Sequence, residues 1–137
     1  MSRTGILLFA HGARDPNWAL PFEAVAERLR GRSLTDAKQA PEVTLAFLEF
    51  MSPDIATAGD DLAARGCTAV SVVPLFLGAG GHVRKDLPKL LDELAARHPG
   101  VSWRLCPAVG ETDILIQGMA DAAWNLAESS LPRSPQG

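Results

Sequence analysis

His11 and His82 each follow an apolar run that reads as a buried strand, in Leu7-Leu8-Phe9-Ala10-His11-Gly12 and in Val72-Val73-Pro74-Leu75-Phe76-Leu77 leading to Gly80-Gly81-His82. The chain has only three histidines, so two in equivalent positions point to one shared site. A third run, Thr44-Leu45-Ala46-Phe47-Leu48-Glu49-Phe50, brings a carboxylate to its own end. Two imidazoles and a carboxylate suit binding of a divalent metal and movement of protons. Glu49 has Phe47, Leu48, Phe50 and Met51 around it. If it points into a cleft, its carboxylate is partly stripped of water, which suits a proton acceptor. The competing placement faces solvent from the strand end or caps a helix beginning near Pro53.

Each histidine also has a plain structural reading, a hydrogen bond to nearby backbone. The surroundings favour a site. Gly12 allows a sharp turn beneath a ligand, and Ala13-Arg14-Asp15-Pro16 adds charge and a bend. Gly78-Ala79-Gly80-Gly81 reads as a flexible wall or lid ahead of His82.

Short Val-, Leu- and Ile-rich runs alternate with longer amphipathic stretches, the pattern of strands buried on both faces and joined by crossover helices. This predicts an α/β fold. Strands are expected near 5–10, 43–49, 69–76 and 101–106, and helices near 18–31, 53–65, 86–98 and 112–129. Ser52-Pro53-Asp54 reads as N-cap, first helical position and first-turn acid, with Gly66 at the stop. Asp86-Leu87-Pro88 and His98-Pro99-Gly100 bracket the third helix in the same manner. Right-handed crossovers then carry the loops with His11, Glu49 and His82 to one edge of the sheet, the C-terminal edge. Residues 31–41 read as a surface loop, and Leu131 to Gly137 as a disordered tail.

At 137 residues, 47% of them hydrophobic, the chain fits one domain, expected over residues 1–130. A net charge of −3, no tyrosine and no basic stripe argue against nucleic acid. No segment is apolar for long enough to span a membrane, and Met1-Ser2-Arg3-Thr4 leads straight into the first run without a signal-peptide pattern, so a cytoplasmic protein is expected. Cys67 and Cys106 form no CxxC pair and read as small apolar residues. Neither a phosphate-binding glycine motif nor a GxSxG elbow occurs, so no nucleotide is expected. His98 reads as a helix-end cation, and Trp18, Trp103 and Trp124 as packing residues.

Three ordered motifs, Leu8-Phe9-Ala10-His11-Gly12-Ala13-Arg14-Asp15-Pro16, Phe47-Leu48-Glu49-Phe50 with Pro53, and Pro74-Leu75-Phe76-Leu77 through Gly80-Gly81-His82-Val83-Arg84-Lys85-Asp86-Leu87-Pro88, resemble the sirohydrochlorin chelatases. These are the small, ATP-independent class II chelatases of the CbiX and SirB type, and the resemblance runs from Gly5 to about Leu126. It implies a chelatase-like (flavodoxin-like) three-layer sandwich, with a mainly parallel four-stranded sheet and helices on both faces. It also implies a lyase that inserts Co2+ or Fe2+ into sirohydrochlorin, toward cobalamin or sirohaem. His11 and His82 then correspond to the metal-binding, catalytic histidines and Glu49 to their carboxylate partner. The same donors accept Ni2+ or Zn2+. The tetrapyrrole is rimmed with carboxylates, for which Arg14, Arg84 and Lys85, with Gly80 and Gly81 beside them, are the expected contacts. Two-domain chelatases place the site between similar halves; a chain holding one half implies a homodimer.

Two other readings use the same residues. A non-catalytic protein on this fold would bind or deliver metal through both histidines without turnover. Phosphoryl transfer through His11 is suggested by a likeness to histidine phosphatases, but Ala10 stands where those enzymes carry an arginine.

Overall fold

The structure is a computed structural model that describes residues 3–32, 40–78 and 80–130, with the His82 side chain outside that set. The expected tail from 131 and most of the loop before Pro41 also lie outside the described residues. Four strands alternate with helices: β1 (Arg3–Ala10), α1 (Leu20–Arg30), β2 (Glu42–Phe47), α2 (Ile55–Ala64), β3 (Cys67–Pro74), α3 (Gly81–Arg97), β4 (Ser102–Leu105) and α4 (Asp113–Ser130). Short 3-10 turns precede α1 and α4. The sheet order is β2-β1-β3-β4 and every pairing is parallel, which confirms the α/β sandwich. None of the described helices is long and apolar enough to cross a membrane.

Strand alternation divides the core. Leu7, Phe9, Val70 and Val72 meet Ile55, Ala58 and Leu62 of α2 and Leu87, Leu91 and Leu94 of α3. Leu8, Val43, Ile6 and Leu45 point the other way, onto Ala26 and Leu29 of α1. Burial on both faces is why these strands read as continuous apolar runs. The second layer is incomplete among the described residues. Helix α1 packs on β2, whereas Ala69, Ser102 and Arg104, on the same face of β3 and β4, stay exposed.

Helix α4 is unpacked as well. It buries no residue, and Ile114, Ile116, Met119, Trp124 and Leu126 are all exposed. Trp124 therefore does not pack on its own sheet, unlike Trp103, which lies against the α2–α3 core.

Helix boundaries departed from expectation at two places. The N-cap of α2 is Asp54, not Ser52: its Oδ1 accepts the Thr57 N–H at 2.8 Å. A carboxylate in that position answers both the orphan N–H and the helix dipole. Helix α3 begins at Gly81, five residues before Asp86, and Pro88 sits inside it. Gly80 supplies the N-cap and already accepts the Arg84 N–H at 3.0 Å. Gly66 ends α2 as expected, with φ 91° that a side chain would strain. His98 does cap α3, and its Nε2 also pairs with Asp60 Oδ1 of α2 at 2.6 Å. Cys67 is buried, which pushes its thiol up, and Cys106 is half-buried.

The Thr57 backbone N–H holds the Asp54 carboxyl below its usual range. A depressed folded-state value gives stability that is present above the unfolded pKa and is lost as pH falls through the folded one. Asp54→Ala is expected to cost about 1 kcal/mol at pH 7. Urea titrations should show that gap closing below about pH 4, where the unfolded carboxyl takes its proton.

Candidate functional site

The strand ends that carry the expected residues are level. Ala10 pairs with Phe47 and Phe9 with Pro74, so β1, β2 and β3 finish in one row. Two further bonds extend the ladder past the strands, Leu48 N–H to the Ala10 carbonyl at 2.8 Å and Leu75 N–H to the Phe9 carbonyl at 2.7 Å. His11, Glu49 and Phe76 follow directly. This row includes the point between β1 and β3 where the chain switches from α1 on one face to α2 and α3 on the other. In open parallel sheets that switch point opens a crevice for ligands.

His11 and Glu49 meet there. His11 Nδ1 lies 3.3 Å from Glu49 Oε1, and both side chains are a little under half exposed, at 45% and 37%. Beside an ionised carboxylate Nδ1 carries the proton and donates it, which leaves the Nε2 lone pair for a ligand. The ring is braced on its side by Phe76, with centroids 4.6 Å apart. Its backbone carbonyl accepts the Trp18 Nε1–H at 2.7 Å. Glu49 Oε2 is shielded from solvent and has no hydrogen-bond partner among the described residues. An unpartnered buried carboxylate oxygen favours whatever cation or proton reaches it.

Gly12 explains how the two loops come so close. A Cβ on it would lie 1.7 Å from the Glu49 carbonyl oxygen, so the loops after β1 and β2 pack backbone on backbone. Trp18, Phe76 and this Gly12 contact were not singled out as site features from the sequence. Phe76 lay within an ordinary apolar run, and nothing in its type marks it as a histidine brace.

The remaining expected residues are distributed around the same edge. His82 is the second residue of α3, two residues after the Gly80 N-cap, and its side chain lies outside the described residues. At the end of the glycine passage Gly80 is the N-cap and Gly81 already belongs to the helix, and a Cβ at either would meet nothing within 4 Å. Arg84 is engaged with Glu111 at 3.0 Å and lines a cleft of about 140 Å³ with Pro74, Leu105, Cys106 and Ala108. Lys85 is exposed. Arg14 lies over the Phe50 ring, 5.4 Å from its centroid. Among the described residues no group of three His, Cys, Asp or Glu side chains is assembled to hold a metal.

The sequence signature of the CbiX family spans residues 5–123. The chain belongs to the CbiX family. It is 36% identical over 100 residues to a sirohydrochlorin cobaltochelatase of Saccharolobus solfataricus, covering 70% of this chain and 73% of that one. The crystal structure of a CbiX protein from Marinobacter aquaeolei superimposes with a TM-score of 0.76 at 32% identity, over 93% of this chain and 99% of that one. The sirohydrochlorin chelatase SirB of Bacillus subtilis, solved with cobalt, shares the fold, with a TM-score of 0.76 at 24% identity. This CbiX-family chain covers 91% of itself in that comparison but only 51% of SirB, a chain about twice as long.

Proposed function

We propose that this protein is a sirohydrochlorin chelatase that inserts a divalent metal, Co2+ or Fe2+, into the tetrapyrrole without ATP. The observation that carries the reading is the His11–Glu49 pair, 3.3 Å apart at the switch point of a CbiX-family sheet. Metal and metal-free ring are the substrates; the metallated ring and two protons are the products. His11 Nε2 takes the incoming ion as it sheds water, with His82 as the second imidazole and Glu49 as the carboxylate ligand. Glu49 also orients His11 through Nδ1, and its Oε2, which has no partner among the described residues, accepts one pyrrole proton as the metal enters while the second passes to solvent water. The ring's carboxylates meet Arg14, Lys85, Arg84 and the N-terminal turn of α3, where Gly80 and Gly81 leave the backbone open. The same donor set also accepts Ni2+ or Zn2+, so cellular supply selects among metals.

The decisive experiment follows the absorption spectrum of sirohydrochlorin with cobalt(II) or iron(II) under anaerobic conditions. A rate above the uncatalysed one is expected. A rate equal to background, from folded protein that binds the metal, would replace the enzyme by a metal-delivery protein.

The working form is a homodimer. Helix α4 carries an exposed apolar surface, and the β3–β4 half of the α1 face carries no described helix, so each copy has both a helix to bury and a face to cover. Such a pair of complementary surfaces closes with two-fold symmetry. The match to only 51% of SirB leaves room in that longer chain for a second half, in keeping with the same arrangement. Sedimentation should give twice the chain mass for the wild type. Trp124→Glu should weaken the dimer by on the order of 30-fold or more, as loss of a buried aromatic anchor does. A fully active wild-type monomer would overturn the arrangement.

A further inference from the structure

Phe50 holds a backbone conformation that its side chain does not repay by packing. It is the only non-glycine among the described residues with positive φ, at 65°. The Met51 N–H donates to the Glu49 carbonyl at 2.8 Å and closes a three-residue turn around it. This is the γ-turn sense that is rare and strained. A bulky residue in the left-handed region destabilises the fold, and burial of the ring would be the ordinary compensation. Phe50 is instead 66% exposed. Glycine or asparagine would make the same turn with less strain.

Three features coincide at this strained position. It adjoins Glu49, whose carboxylate faces His11. The Arg14 guanidinium lies over one side of the ring. Leu48 and Leu77, just beyond the ends of β2 and β3, add exposed apolar surface along the same sheet edge. A flat apolar plate with a cation on it matches one kind of ligand, a planar macrocycle whose rim carries carboxylates. The face would meet the ring system and the guanidinium a rim carboxylate.

We infer that Phe50 is a substrate-binding residue, presented by the strained turn so that its ring takes the face of the tetrapyrrole while the attached Arg14 takes a rim carboxylate. The inference rests on the chelatase reading. It gives the strain a purpose: the turn fixes the aromatic plate next to the metal-handling pair before substrate arrives, so little ordering remains to be done on binding.

Wild type, Phe50→Gly and Phe50→Tyr separate this from a surface role. Metal-free sirohydrochlorin is titrated by absorption, cobalt(II) is titrated alone, and thermal unfolding is recorded for each. Phe50→Gly should raise the sirohydrochlorin Kd roughly ten-fold, the loss of one aromatic face contact. Its Tm should be equal or higher, because glycine adopts this conformation freely, and cobalt(II) binding should be unchanged. Phe50→Tyr should restore the wild-type Kd. An unchanged Kd in Phe50→Gly overturns the inference whatever the Tm does. So does a raised Kd with lost cobalt(II) binding, which would mean a collapsed loop. If the wild type itself fails to bind sirohydrochlorin, the chelatase reading falls and this inference with it. A wild type that binds and metallates the ring, beside an equally competent Phe50→Gly, removes the inference alone.

Discussion

His11→Ala is expected to slow metal insertion into sirohydrochlorin by on the order of 10²- to 10⁴-fold, the range set by loss of a positioned proton carrier. The substitution removes the Nε2 donor and leaves Glu49 without the group it orients. The fold should survive. His11 is 45% exposed at the side chain, and the bond that anchors its segment uses the backbone carbonyl, which accepts from Trp18 at 2.7 Å in any variant. Initial rates from the sirohydrochlorin absorption change, with circular dichroism as a check on folding, give the answer. A folded His11→Ala protein working at the wild-type rate would remove His11 from the mechanism. Glu49→Gln is the informative companion. It keeps the shape and one acceptor oxygen for His11 Nδ1, but an amide neither takes a proton readily nor contributes charge to a cation. Its rate should fall while its affinity for the metal-free ring stays close to that of the wild type.

Gly12→Ala should damage stability and activity together. The added methyl would sit 1.7 Å from the Glu49 carbonyl oxygen and 2.9 Å from its carbon. Both atoms are backbone, so no side chain can swing aside, and the loops after β1 and β2 must separate. Overpacking of this kind costs on the order of 3 kcal/mol or more. For a domain of this size that is a fall in Tm of roughly 10 °C. Separation of the loops also opens the 3.3 Å contact between His11 and Glu49, so insertion should fail even well below the melting temperature. Gly81→Ala serves as the control for stability: a Cβ there meets nothing within 4 Å and lies in the first turn of α3. Thermal scans showing Gly12→Ala as stable as Gly81→Ala would contradict the backbone packing described for the two loops.

Element positions were largely legible before any coordinates, and for a physical reason. Parallel strands covered on both faces need apolar residues at nearly every position, and the runs ending at Ala10, Phe47 and Pro74 have them. Helix starts were less legible because capping residues compete. Ser52 and Asp54 both suit an N-cap, and the pattern alone does not rank them; the chain path put Thr57 N–H within 2.8 Å of Asp54. Pro88 read as a helix start because proline favours the first turn, yet α3 continues through it from Gly81. The lost bond and the local crowding at Pro88 are carried by a helix that buries Leu87, Leu91 and Leu94 against the sheet.

The candidate site divides along the same line. The residue types, the three strand-end motifs and the right-handed crossover rule were enough to bring His11 and Glu49 to one edge, because chain direction and connection handedness depend only on the order of elements; His82, expected in the loop after β3, instead falls in the first turn of α3. Contact required more. The level ends of β1 and β2, the approach of Gly12 to the Glu49 carbonyl, the Phe76 brace and the strained turn at Phe50 all depend on stagger and loop path. The unpacked α4 belongs in the same class, since its apolar sequence is equally compatible with burial in its own core. Local sequence specifies which residues prefer a strand, a cap or a turn; distances of a few ångströms between loops far apart in the chain are set only when all the layers pack at once.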